Sequence, residues 1–122
     1  MSLTKSEEQL MNHLWKLKKA FIKDILTEYE DPKPAMTTVL TLIKRMIDKG
    51  YVDFKLFGNS REYYPLVEKS EYFKVHFNAI IKDFFNDSPM QMVSFFATET
   101  NLSQEQLEEL RAIIDKQIDH KK

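Results

Sequence analysis

Thr37, Thr38, Thr41, Lys44, Arg45 and Lys49 place hydroxyls and cations at intervals of one, three and four residues within the segment Met36 to Gly50. Hydroxyls hydrogen-bond phosphate oxygens or base edges, methyl groups touch the thymine methyl, and Lys and Arg neutralise phosphate or pair with guanine. Gathered on one helical face, such side chains suit the major groove of a duplex; the plainer use of that composition is a solvated face. The same segment carries Met36, Val39, Leu40, Ile43, Met46 and Ile47 at i, i+3, i+4, i+7, i+10 and i+11, the spacing of a buried helical stripe. Thr37, Thr38, Thr41, Leu42, Lys44, Arg45, Asp48 and Lys49 are left outside it. Leu42 therefore joins the candidate contacts, whereas Leu40 counts as core.

Other chemistries lack their residues. With no cysteine, the chain has no disulfide, no thiolate metal site and no cysteine nucleophile. His13, His76 and His120 share no ligand spacing, so no metal site is predicted. There is no Gly-rich phosphate loop and no nucleophile–base pair at recognisable spacing. Neither catalytic residues nor a cofactor are expected, and the chain is not expected to be an enzyme.

Composition sets the frame for the helix. A chain of 122 residues with 43% hydrophobic content makes one small globular unit or two very small ones, with a modest core. No apolar run is long enough to cross a bilayer, and the start MSLTKSEEQ has no apolar leader, so a cytoplasmic protein without direct membrane insertion is expected. Charge is unevenly divided although the net is -1: residues 1–65 carry 11 basic against 9 acidic side chains, and residues 66–122 carry 7 against 10. That sense fits a front half that meets phosphate and a back half that meets protein.

Three helices and a hairpin are predicted over residues 1–68. Thr4 with Glu7 three residues on is a capping box, and Leu10, Met11, Leu14, Trp15 and Leu17 give the first helix, about Lys5 to Leu17, its apolar face. Ala20 and Phe21 form a short extended segment; Ile22, Ile25, Leu26 and Tyr29 mark a second helix. The run Asp31, Pro32, Lys33, Pro34 breaks it, with Pro34 placed to open the third helix, which Gly50 stops. Beyond Gly50 the period becomes two: Val52, Phe54 and Leu56 alternate with Asp53, Lys55 and Phe57, Gly58, Asn59 and Ser60 turn the chain, and Arg61 to Leu66 returns. Three helices followed by a hairpin are the order of a winged helix-turn-helix. Lys55 and Arg61 flank the wing tip, where they can hold phosphate, and Asn59 can approach the minor groove. A simply solvated hairpin fits those three residues equally.

Residues 69–122 are predicted to be three helices. Phe73, Phe77, Ile80, Ile81, Phe84 and Phe85 repeat at helical spacing between Glu71 and Asn86, a face too wide for one small domain to hide. Asp87, Ser88 and Pro89 end that helix and begin another, about Met90 to Ala97, with Met92, Val93, Phe95 and Phe96 apolar. Ser103 with Gln106 caps the last, whose apolar side holds Leu107, Leu110, Ile113, Ile114 and Ile118. Such helices bury their faces best against a second copy; a cofactor pocket is the competing use of so many phenylalanines. Phe73, Phe77, Ile80, Phe84, Phe95, Phe96, Leu107, Leu110 and Ile114 are the candidate dimerisation residues. The whole chain is thus expected to be mainly α, an N-terminal winged helix-turn-helix followed by a three-helix dimerisation region.

The run Thr38, Val39, Thr41, Leu42, Arg45, Lys49 and Gly50 resembles the T-V-x-T-L-x-x-R-L-x-x-K-G pattern of the penicillinase repressors, with Met46 where leucine is usual. Leu3 to Trp15 resembles that family's opening helix, Tyr64 and Pro65 the close of its wing, and Leu102 to Ile114 its last helix. The resemblance implies a homodimeric transcriptional repressor whose third helix enters the major groove of a pseudo-palindromic operator in double-stranded DNA. It carries contacts onto Thr38, Thr41, Leu42 and Arg45, with Lys44 and Lys49 to the backbone. At Leu40 the family more often has a polar or basic residue. The resemblance also implies a membrane-bound sensor protease as a partner in the same regulatory system, with cleavage at an Asn–Phe bond. Phe95 and Phe96 stand at that bond here, so the asparagine is missing. Copper-responsive relatives carry C-terminal cysteines, and this chain has none. The alternative from the residues is a winged helix that docks another protein and never binds DNA.

Overall fold

Thr4 and Glu7 begin the first helix as their spacing predicts: the Glu7 N–H donates to Thr4 Oγ1 at 3.2 Å, and the Thr4 N–H donates to Glu7 Oε1 at 2.9 Å. The computed structural model describes residues 3–122. Helix α1 (Lys5–Leu17) stops at Lys18, whose φ of 70° turns the chain out of the helix. Ala20 then pairs with Tyr63 through two backbone hydrogen bonds of 2.9 and 2.8 Å, which is the predicted extended segment. Helix α2 (Ile22–Glu28) opens with the Asp24 carboxylate accepting from the Phe21 N–H at 3.1 Å. At its end the Lys33 ammonium donates to the carbonyls of Thr27 and Tyr29, where a cation suits the unsatisfied oxygens of a helix C-terminus.

Helix α3 (Met36–Asp48) has Ala35 as its N-cap, so Pro34 lies outside the helix rather than in its first turn, two residues before the helix begins. Gly50 ends it as expected. Its φ of 83° lets its own N–H reach the Ile47 carbonyl and the Tyr51 N–H reach the Met46 carbonyl, the paired bonds of a Schellman motif. Strands β1 (Val52–Phe57) and β2 (Ser60–Pro65) pair antiparallel with Phe57 opposite Ser60. The loop is thus Gly58–Asn59, and Gly58, at φ 61°, supplies the positive angle that a two-residue hairpin of this hand needs.

These elements enclose one core. Leu10, Met11 and Leu14 of α1 meet Ile25 of α2, Val39, Ile43 and Met46 of α3, and Val52 and Tyr63 of the hairpin, all buried. Helix α4 (Lys69–Phe84) begins against this core: Tyr72 is buried, its hydroxyl donates to Glu8 Oε2 at 2.8 Å, and the Trp15 indole N–H donates to the Val67 carbonyl at 2.8 Å. The first compact unit consequently runs to His76, and the second begins at Phe77, eight residues beyond the boundary expected at 68/69. Aromatic packing of Tyr72 and Phe73 on Trp15 draws the start of α4 into the first unit. Phe73 takes part in that packing and is still 36% exposed.

The second unit comprises the rest of α4, α5 (Pro89–Glu99) and α6 (Gln104–Lys121). Asn86 and Asp87, both at positive φ, turn the chain after α4; Ser88 caps α5, and the Ser103–Gln106 capping box opens α6 as predicted. Among the described residues no helix is long and apolar enough to cross a membrane.

The core makes a stability prediction. Ile43 is 1% exposed at the centre of the α1, α2 and α3 packing. Ile43→Ala is expected to lower unfolding free energy by about 2–5 kcal/mol in urea titration, through lost burial plus the cavity left behind.

Candidate nucleic-acid interface

Which side of α3 is free follows from its three buried residues. At about 100° per residue, Val39, Ile43 and Met46 fall within an arc of about 60°, and Thr37, Thr41, Lys44 and Asp48 point to the opposite side. Thr37, Thr38, Thr41, Lys44, Arg45 and Lys49 are all exposed, as predicted. The Thr41 hydroxyl donates to the Thr37 carbonyl at 2.9 Å, which leaves its methyl and an oxygen lone pair outward. No side chain caps the N-terminus of α3, because Ala35 has none to offer, so its first amides stay open to an anion.

Leu40 and Leu42, expected on opposite sides of the core boundary, are both half-buried. Leu42 is half-buried and packed against the core, which corrects its placement on the outward face. Leu40 instead borders a groove of about 700 Å³ lined also by Phe21, Lys23, Phe57, Asn59 and Arg61. The cause is angular: Leu42 lies about 70° from the middle of the buried arc and Leu40 about 90°, so helical spacing alone barely separates them. Met36, also expected in the core, is 43% exposed in the first turn of α3.

The groove brings one side of α3 and the wing together. Asn59 and Arg61, predicted on the wing, share it with Leu40 and with Lys23 of α2, a cation that sequence reasoning passed over because nothing in its neighbourhood marks the fold-back of the hairpin. The Arg61 guanidinium sits 4.5 Å from the centre of the Phe54 ring, which orients it along the wing. Lys55, directly across from Glu62 in the hairpin register, is exposed near the tip. Leu56 and Phe57 beside it are 64% and 54% exposed, an apolar edge to the wing.

On the α1 side of α3 the decisive group is Glu7. Read from sequence only as a cap, its side chain has no exposed surface beyond 1%. One oxygen, Oε1, completes the cap; the other, Oε2, lies 2.7 Å from the Lys49 ammonium and 3.8 Å from Arg45 Nη1. Burial pushes the Glu7 carboxyl up, but hydrogen bonds from Lys49 and Thr4 and the Lys49 charge outweigh it and hold the group below its ordinary value. Lys49, expected on phosphate, is engaged by this carboxylate; the Arg45 side chain is 52% exposed beside it. A signal for its burial exists in the sequence, since Glu7 stands three and four residues before Leu10 and Met11 on the apolar side of α1, but its partner lies 42 residues away.

No cluster of potential metal ligands occurs among the described residues. A family model described as Penicillinase repressor matches residues 3–116. The Methicillin resistance regulatory protein MecI of Staphylococcus aureus strain N315 is 34% identical over 119 residues, covering 93% of this chain and 94% of that protein. The Penicillinase repressor of Bacillus licheniformis is 25% identical over 121 residues, 98% of this chain and 94% of that one. A solved chain described as CopR Repressor Structure aligns with a TM-score of 0.47 and 25% identity over 56% of this chain and 100% of its own.

The Glu7 cluster predicts a pH dependence. A carboxyl held below 4.5 in the folded chain contributes stability that is complete above that value and is lost as pH falls through the lowered one. The stability difference between the native chain and Glu7→Gln, followed by thermal melting from pH 7 to pH 3, is therefore expected to be largest at neutral pH and to shrink below about pH 4.5.

Proposed function

The chain belongs to the penicillinase repressor family, and from that premise we propose that it is a transcriptional repressor that binds operator DNA sequence-specifically as a homodimer. The observation that carries the DNA-binding part is the outward face of α3. It sets Thr37, Thr41, Lys44 and Arg45 free of the core, next to a wing bearing Lys55, Asn59 and Arg61. In this reading α3 lies in the major groove with Arg45 and Thr41 toward base edges, Thr37, Thr38 and Lys44 toward the backbone, and the wing on the adjoining phosphates. In the same reading Leu40, which lines the groove between α3 and the wing, meets a thymine methyl.

Homodimerisation is supported by the second unit. Neither α5 nor α6 has a buried residue, and Phe84, Phe95, Phe96, Leu107 and Ile114 are each between 42% and 77% exposed, with Phe77 at 48%. Ile80 and Leu110 are half-buried in the same unit. Apolar surface on that scale is stabilised by a partner of the same shape, and two-fold pairing would present two α3 helices to two half-sites. A membrane-bound sensor protease is the proposed upstream partner. Phe95 and Phe96 lie within α5, so cutting between them requires α5 to unwind and the protease to accept phenylalanine in place of asparagine.

Titrating the purified chain into mixed genomic fragments at rising salt tests the reading: affinity is expected to fall steeply, with log K declining by about 0.9 per log unit of salt for each phosphate contact. Absence of salt-sensitive binding at low ionic strength would instead favour a protein-docking winged helix. Lys44→Ala is expected to weaken all sequences alike and lower the salt slope by about 1, while Arg45→Ala costs about 1–3 kcal/mol on the preferred sequence alone. In sedimentation at micromolar concentration a dimer is expected, and Ile114→Asp should give monomers; a compact native monomer would remove the proposed interface.

A further inference from the structure

We propose that Glu7 is a positioning residue for base reading by Arg45, an assignment that rests on the repressor reading above. Glu7 cannot touch DNA, since its side chain is 1% exposed beneath α3. Its carboxylate nevertheless sits between the two cations on that flank of the helix. Arg45 and Lys49 are four residues apart on adjacent turns, where like charges repel.

The two distances divide the labour. At 2.7 Å the Lys49 ammonium forms a charge-assisted hydrogen bond to Oε2. At 3.8 Å the Arg45 guanidinium is attracted by the same oxygen but is too far to donate to it. Arg45 is thus held by the field of a buried, poorly screened charge while its N–H donors stay available. A guanidinium confined to one flank with its donors free is prepared for a bidentate contact with guanine, because less rotamer freedom is lost when the contact forms. Lys49 has a second part in this: by occupying Oε2 it keeps Arg45 from collapsing onto the carboxylate. On the opposite flank Lys44 forms no ion pair among the described residues, so its reach is not directed in this way.

Glu7→Gln keeps the capping geometry, since glutamine serves at that position, but removes the charge. It frees Lys49 and Arg45 together. Sequence preference should relax while general attraction to phosphate rises, a combination that mere destabilisation does not produce. Lys49→Met removes the nearer cation and leaves the carboxylate to draw Arg45 into direct contact, so preference should relax without any gain in general attraction.

The test uses the full-length chain, a fragment recovered from genomic DNA by the wild type, and a scrambled fragment of equal length. The ratio of the two affinities is expected to fall about tenfold in Glu7→Gln, the scale of one base contact. Scrambled-fragment binding should tighten, and its salt slope should steepen by about 1. In an Arg45→Ala background Glu7→Gln should change the ratio less than about twofold, as coupled residues require. Circular dichroism establishes that each variant is folded; if Glu7→Gln is not, Lys49→Met decides by the fall in its ratio. An unchanged ratio in the folded variant, or an equal fall with and without Arg45, overturns the assignment while leaving the repressor reading intact. A wild-type chain that shows no salt-sensitive DNA binding overturns the repressor reading, and this assignment with it.

Discussion

The Glu7 carboxylate, enclosed between α1 and α3, accepts from the Thr4 N–H and the Lys49 ammonium, and so joins the first turn of one helix to the end of the other. A buried charge is tolerable only while its partners stay in place; removing one leaves the other desolvated and uncompensated. The register of α1 against α3 is consequently tied to a single ion pair as well as to the packing of Leu10, Leu14, Ile43 and Met46. That register settles which side of α3 is left outside. The exposed face is what remains after the core and the ion pair have taken their residues.

Most of the fold is legible in the sequence because its signals are local. Capping boxes at Thr4 and Ser103, the positive-φ glycines at 50 and 58, and the change of period after Tyr51 each act within a few residues, and the structure places helices and strands where they point. The phase of α3 is less legible. Seven apolar side chains among Met36 to Ile47 cannot all face a core that contacts only part of the helix, so Leu40 and Leu42, separated by a small difference in angle, are both left half-buried, Leu42 on the core and Leu40 on the groove. Tertiary partners are the least legible. Glu7 announces its cap and conceals Lys49, and the start of α4 looks like tail until Trp15 and Tyr72 gather it into the first unit. Of the candidate contacts, the exposed threonines and cations of α3 were visible as an outward face, whereas the attachment of Lys49 to Glu7 and the presence of Lys23 in the wing groove depend on folding.

The two units differ in how they meet their apolar surface. The first encloses it in a core of side chains from three helices and a hairpin. The second keeps internal contacts such as Phe85 with Phe95, at 5.6 Å between ring centres, yet α5 and α6 bury nothing completely. A domain this small gains little from its own interior, and association is the usual remedy. Under the proposed function, folding of the second unit and pairing of two chains are one event, and the symmetry of that pair is passed to the DNA.

Sequencing the genomic fragments that the purified wild-type chain retains at moderate salt tests this most directly. A recurring pseudo-palindrome is predicted, with two half-sites whose centres are separated by about one helical turn or a multiple of it, about 34–36 Å per turn. Retained fragments that share no sequence, or that share one unpaired motif, would contradict a homodimer reading its operator through α3.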